Sequence, residues 1–218
     1  MEILNSKYYK PLEQMMSVRH QYMGKIISLD RRPNIYSFFK NRHILDLGCG
    51  TGKFLHNYYE LGATCSGVDL AKNFQFQNKK NYELINSNFQ DFLKKNKKKF
   101  DVIFIFEFLE HLTLNERKVL FKYLPKILKT NGVIFLSTLN RNIVSTFMSI
   151  NIAENLLKLL PKNTHDPKLY IKPSEIQELS SKNGLKLLNV KGLSYNPLLK
   201  TFRLSEIDLI NYIATIKN

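Results

Sequence analysis

The sequence predicts an α/β protein built on a doubly wound, mostly parallel sheet. Three observations carry that prediction. Arg42 to Leu47 reads as a buried strand running straight into Gly48-Cys49-Gly50-Thr51-Gly52, with the amphipathic stretch Lys53 to Leu61 behind it. Asp69 closes a second short strand about 20 residues beyond that turn. Phe100 to Phe106 is a continuous apolar run bounded by charge, as expected of a parallel strand buried on both faces.

The elements follow in order. Leu12, Met15, Met16, Met23 and Ile26 recur at helical spacing, and Arg19 lies four residues from both Met15 and Met23, on or beside that apolar stripe. After the glycine turn and its helix come a strand at Thr64 to Asp69, a helix near Ala71 to Lys79 and a strand around Glu83 to Asn86. The run Lys94 to Lys99 reads as a solvated loop before the central strand. Thr113 with Glu116 three residues on is a capping-box pattern, and Val119, Leu120, Tyr123, Leu124, Ile127 and Leu128 form the stripe behind it. Pro125 weakens that helix, and Asn131-Gly132 is expected to end it before the strand Val133 to Thr138. The rhythm breaks over residues 140–172, an insertion after the fifth core strand. A short helix after Pro173, a strand at Leu185 to Val190 and an apolar segment near Tyr212 to Ile216 complete the chain. The whole of 1–218 is expected to be one domain, with residues 1–40 as a helical cap.

Composition limits the classes available. A hydrophobic fraction of 44% and a charged fraction of 23% over 218 residues suit a packed globular enzyme rather than a disordered or fibrous chain. No run reaches the roughly 18 apolar residues of a spanning helix, and residues 1–10 lack an apolar signal core, so an intracellular protein is expected. Cys49 and Cys65 match no zinc spacing and read as reduced core residues. The net charge of +15 favours an anionic partner, among which an anionic membrane surface stays open.

The strand, glycine turn and helix bring backbone and a helix start close to a ligand, and Asp69 stands where an acid accepts hydrogen bonds from both ribose hydroxyls. Together they indicate a nucleoside site. Leu45 to Gly52, with an acid ahead of G-x-G-x-G, looks like the methyltransferase form of such a loop.

A closer resemblance extends from Lys10 to Lys217. Phe104 to His111 (FIFEFLEH), Leu136 to Asn142 (LSTLNRN), Leu160 to Ile171 (LPKNTHDPKLYI) with Lys172-Pro173, and Gly192 to Pro197 (GLSYNP) with Phe202 resemble the ubiquinone biosynthesis O-methyltransferase family. The resemblance implies a Rossmann-like class I methyltransferase: seven mostly parallel strands, helices on both faces and an antiparallel last strand. It also implies S-adenosylmethionine as cosubstrate and methyl transfer to ring hydroxyls of a polyprenylated catechol precursor and of a demethylated ubiquinol. The family's helix with paired tryptophans is missing at the start, so a shorter cofactor lid or an incomplete N-terminus is expected.

By the same resemblance Arg19, Gly48, Gly50, Asp69 and Phe106 are the cofactor-binding positions. Arg19 would pair with the methionine carboxylate, with an arginine lying over the helix surface as the other reading. Glu107, Glu110 and His111 match the family's metal ligands, with Mg²⁺ as the expected ion. His111 as a general base, or helix-start acids serving the helix dipole, are the other readings of that string. His165 is taken as structural. A nucleic-acid methyltransferase and a non-catalytic cofactor-binding scaffold are the rival functions. Nucleic acid is disfavoured because Glu107-Phe108-Leu109-Glu110 stands where amino-methylating enzymes carry an Asp or Asn with Pro-Pro.

A prenylated substrate implies work at a membrane. Residues 142–160 open with an uncharged, largely apolar stretch, Asn142 to Ala153, with Arg141, Lys158 and Lys162 at its flanks, so an interfacial element is expected over 142–160. The expected location is cytoplasmic and peripheral to the inner membrane, or the matrix side of the mitochondrial inner membrane, with other ubiquinone-biosynthesis proteins as candidate partners.

Overall fold

A computed structural model describes residues 6–29, 35–72, 74–147, 166–196 and 201–218. Helices α1 (Ser6–Leu29) and α2 (Ile35–Phe39) precede strand β1 (His43–Leu47). Then follow α3 (Lys53–Glu60), β2 (Thr64–Asp69), β3 (Tyr82–Asn86), α4 (Phe89–Lys95), β4 (Phe100–Phe106), a 3-10 turn at Leu109–His111, α5 (Leu114–Ile127) and β5 (Leu128–Leu139). The remainder is α6 (Ile143–Thr146), a 3-10 turn at Pro167–Leu169, α7 (Pro173–Lys182), β6 (Lys186–Asn196), β7 (Thr201–Ser205) and β8 (Asn211–Lys217).

These strands form one sheet in the order β3-β2-β1-β4-β5-β8-β6-β7. β1 to β5 are parallel, and β8 inserts antiparallel between β5 and β6. The described residues therefore give eight strands rather than seven, because β7 folds back on β6 and extends that edge.

Alternation along β4 builds both layers of the core. Val102, Phe104 and Phe106 face α1, α2 and α3 with Tyr22, Met23, Phe39 and Tyr58, whereas Ile103 and Ile105 face α4, α5 and α7 with Leu93, Leu120, Phe121 and Ile176. The capping box of α5 is present as read: Thr113 Oγ1 accepts the Glu116 N–H, and Glu116 accepts the Thr113 N–H at 2.8 Å. Cys49 and Cys65 are buried free thiols, and burial pushes both up in pKa.

Three expectations need correction. The helix read at Ala71 to Lys79 is absent among the described residues there. The Gln75 N–H goes to Thr51 O at 2.9 Å, Asn78 brackets the Leu84 backbone with its side-chain amide, and Phe76 stacks on His56 at 3.9 Å. An asparagine side chain that satisfies the backbone locally competes with helix. The run Lys94 to Lys99 is only partly loop, since Lys94 and Lys95 form the last turn of α4, capped by Asn88. Finally, α5 ends at Ile127, two residues past Pro125, and β5 begins at once. Asn131 (φ 62°) and Gly132 lie in a bulge, where pairing passes from Phe100 with Leu128 to Val102 with Val133.

Candidate active site

Strand order reverses between β1 and β4, so the crevice of this sheet opens at their carboxyl ends. The glycine turn leaves β1 there. Gly48 (φ 79°) donates its N–H to Val68 O at 2.9 Å, and an added Cβ would lie 2.5 Å from the Phe108 ring. Gly50 (φ 55°) has open space where a Cβ would go, which leaves its backbone free to meet a ligand. Asp69 Oδ2 accepts the Gly50 N–H at 2.8 Å, and Oδ1 accepts the Ala71 N–H at 2.8 Å. The predicted ribose acid thus also holds the loop in shape, with lone pairs left for further donors.

Beside this turn is a cleft of about 220 Å³. Met16 and Arg19 of α1 form one wall, Asp46 and the glycine turn its floor, and Phe54, Phe106 and Glu107 its other sides. Arg19, Gly48, Gly50 and Phe106 therefore converge as read from sequence, while Asp69 stands behind Gly50 rather than lining the cleft.

Arg19 is 5% exposed, with its guanidinium 4.5 Å from the Phe106 ring centroid and 5.8 Å from that of Phe54. Its Nη2 donates to Glu107 Oε1 at 3.0 Å and to Ser137 Oγ at 3.2 Å, and its buried Nε has no partner among the described residues. Glu107 occupies the left-handed region (φ 48°), a strained setting for a side-chain-bearing residue. Ser137 donates to Glu107 Oε1 at 2.6 Å, and Asn211 donates to Oε2 at 3.2 Å. Burial raises the Glu107 pKa, but Arg19 and Ser137 outweigh it and hold the carboxyl below its usual value.

Glu110 is 1% exposed. Thr138 donates to its Oε2 at 2.7 Å, while Oε1 is buried without a donor among the described residues. Burial first and the Glu107 charge second push Glu110 well above the carboxylate range. Two interacting carboxyl groups, one buried and one half-buried, favour a proton or a cation between them, so the donor chemistry of this pair fits a hard ion. His111, in the same 3-10 turn, is exposed. The described residues contain no group of three His, Cys, Asp or Glu arranged to hold a metal, because that turn sends Glu110 inward and leaves His111 at the surface.

Comparison with known proteins adds a family to this geometry. Residues 19–190 match the family model described as a methyltransferase domain. The chain is 34% identical over 211 residues to a ubiquinone biosynthesis O-methyltransferase of Coxiella burnetii, covering 94% of this chain and 85% of the relative. It is 36% identical over 221 residues to the protein of that name in Pelagibacter ubique, covering 96% and 90%. The chain belongs to the ubiquinone biosynthesis O-methyltransferase family.

Solved structures agree with that family on the fold. A SAM-dependent methyltransferase from Archaeoglobus fulgidus superposes with a TM-score of 0.62 at 18% identity, over 97% of this chain and 100% of the other. Magnesium protoporphyrin IX methyltransferase from Synechocystis, with bound SAH, gives 0.60 at 13% identity over 99% and 87%.

In this O-methyltransferase several residues of the site went unassigned in the sequence reading. Asp46 is 3% exposed and lines the cleft; burial raises its pKa to about 7 against the pull of Arg19, with Asp69 adding to the rise. Ser137, Thr138 and Asn211 hold the two glutamates, and buried Arg117 donates from Nε and Nη2 to Leu109 O at 3.1 and 2.9 Å, anchoring the turn that carries Glu110. A sequence signal existed for Ser137 and Thr138, which are hydroxyls near the end of the apolar run Val133 to Leu139. Asn211 and Arg117 had none.

Proposed function

We propose that this chain transfers the methyl group of S-adenosylmethionine to ring hydroxyls of a polyprenylated catechol precursor and of a demethylated ubiquinol. The observation that carries this reading is the junction of Arg19 and Glu107, where the nucleoside cleft meets a pair of carboxyl groups, half-buried Glu107 and buried Glu110. Asp69 accepts the ribose hydroxyls, Gly48 and Gly50 allow the cofactor close to the backbone, and Arg19 receives the methionine carboxylate through charge-assisted bonds. Asp46, ionised in response, accepts from the ammonium group.

Methyl transfer is a single displacement. The ring oxygen forms the new C–O bond as the C–S bond breaks, and S-adenosylhomocysteine leaves with the electron pair. Orientation in the cleft supplies much of the rate. The hydroxyl proton goes to a base on the acceptor side, Glu107 or His111. Glu107 and Glu110, with His111 as the third candidate, are the residues that would hold Mg²⁺, whose contribution would be to lower the hydroxyl pKa and orient both catechol oxygens.

Membrane work is part of the same reading. Ile143, Val144 and Phe147 are exposed, and α6 is tied to the loop before β8, which exposes Ile207 and Leu209. Asn142 Nδ2 donates to Leu209 O at 2.6 Å and Ser145 Oγ to Ile210 O at 3.1 Å. Arg141 and Lys172 border this patch. Apolar residues with basic neighbours suit a peripheral contact with anionic lipid, while no helix among the described residues is long and apolar enough to cross a membrane. Residues 148–165, including His165 and most of the expected interfacial element, lie outside the described residues.

Incubating the protein with labelled S-adenosylmethionine and a short-prenyl catechol, with and without Mg²⁺ and chelator, tests reaction and acceptor together. Methylated catechol is the expected product. A protein that binds S-adenosylhomocysteine yet labels no catechol would be a scaffold, and label carried into nucleic acid instead would revive that rival.

A further inference from the structure

The unequal use of the Arg19 guanidinium has a chemical implication. A carboxylate is best held by two parallel N–H bonds, and along the side of a guanidinium these come from Nε and Nη2. Here Nε is buried and empty, while Nη2 serves Glu107 Oε1 and Ser137 Oγ. One prong of the fork is vacant and the other already holds a carboxylate. Arg19, Glu107 and Asp46 all line the same cleft, so an amino-acid carboxylate arriving at Arg19 meets the negative charge of Glu107 directly.

Resting on the reading of Arg19 as the receiver of the cofactor carboxylate, we propose that Glu107 competes with that carboxylate for Arg19, so that cofactor binding releases Glu107 toward the acceptor. Glu107 then has two positions. On Arg19 it keeps a buried cation paired, as a low-dielectric site requires. Released, it is still held by Asn211, which bonds its other oxygen at 3.2 Å, and it faces Glu110 as a free carboxylate. The acceptor side is completed only when the methyl donor is in place.

The signature is an affinity that rises when a charged contact is deleted. We would measure binding of S-adenosylhomocysteine, and of 5′-methylthioadenosine as a probe lacking the amino-acid end, by calorimetry in chelator. Glu107→Gln should tighten S-adenosylhomocysteine about tenfold, within the range usual for coupled sites, and leave 5′-methylthioadenosine unchanged. Arg19→Ala should weaken S-adenosylhomocysteine, and adding Glu107→Gln to it should then change nothing. Ser137→Ala, which frees one Nη2 hydrogen and loosens Glu107, is the milder variant and should tighten binding less. Unchanged binding of 5′-methylthioadenosine shows that each variant keeps its cleft. If Arg19→Ala weakens S-adenosylhomocysteine but both Glu107→Gln and Ser137→Ala leave it equal or weaker, Glu107 is no competitor and the proposal falls alone. If Arg19→Ala has no effect, the carboxylate reading of Arg19 falls and takes the proposal with it.

Discussion

Thr138 donates its hydroxyl to Glu110 Oε2 at 2.7 Å, gripping a carboxyl group that is 1% exposed. Its predecessor Ser137 serves Glu107 at 2.6 Å. Consecutive strand residues point to opposite faces, so the end of β5 grips the two glutamates from both sides of the sheet. Thr138→Val keeps the shape and removes the donor. It should cost about 1–3 kcal/mol of stability in urea unfolding and lower turnover more than it alters cofactor affinity.

Removing Glu110 or His111 separates the proposed metal role from the proposed base role. Glu110→Gln and His111→Ala should each lower turnover by about 10²-fold or more while S-adenosylhomocysteine affinity stays level, since both lie beyond Glu107. Chelator should reproduce the loss. Full activity in chelator with an inactive His111→Ala protein would assign proton removal to His111 and dismiss the ion.

The glycine turn yields a contrast between neighbours. Gly50→Ala meets open space, so its stability penalty is the left-handed backbone alone, about 1–2 kcal/mol, and its main effect should be on cofactor binding. Gly48→Ala adds a Cβ 2.5 Å from the Phe108 ring and should cost more stability than Gly50→Ala. Denaturant titration and calorimetry on both variants give the comparison. Equal stability losses would show that Phe108 moves aside freely.

Asp46 makes the free protein sensitive to pH. Its folded pKa of about 7 stands above the ordinary value of 3.8, so the folded state binds a proton more tightly than the unfolded chain. The stability this confers on the native aspartic acid is fully present below about pH 4 and is lost as pH rises through 7. Asp46→Asn carries no such liability. It should be the more stable protein above pH 7, by up to roughly 4 kcal/mol, with the difference shrinking to nothing near pH 4, and should bind cofactor less tightly. Melting curves across that range that stay parallel would place Asp46 in a wetter setting.

The membrane reading is open to a simple assay. Ile143→Ser with Phe147→Ser removes two exposed apolar side chains, 88% and 57% accessible, without touching the cleft. The double variant should bind S-adenosylhomocysteine normally yet lose flotation with vesicles containing acidic lipid. Flotation of the native protein should fade as salt is added. Equal flotation of both proteins would move the contact elsewhere.

What was legible in the sequence was what local pattern controls. The run of β4, apolar except for Asp101, the Thr113 and Glu116 box and the turn from Gly48 to Gly52 each carry their own geometry, so they were read at nearly their final boundaries. Residues 71–79 failed because helical spacing says nothing of Thr51 or Leu84, whose backbone groups capture Gln75 and Asn78. Of the candidate site, the strand-end residues Gly48 and Phe106 come to the cleft as the sequence suggested, with Asp69 behind Gly50, because a parallel sheet brings its carboxyl ends together. The bond from Arg19 to Glu107 spans 88 residues and that from Asn211 to Glu107 spans 104, distances at which no spacing rule operates.

The order of the strands in the sheet differs from the order in which a ribosome delivers them. β8 lies between β5 and β6, paired with both, and six of its seven residues are buried. Until residues 211–217 have been synthesised, β5 and β6 each present an unpaired edge, the kind of surface on which incomplete chains aggregate. Ribosome-stalled chains ending before residue 211 should therefore depend on chaperones and be cut readily by protease. Asn211, which arrives with that strand, also bonds Glu107, so the step that closes the sheet during biosynthesis is also the one that finishes the catalytic edge.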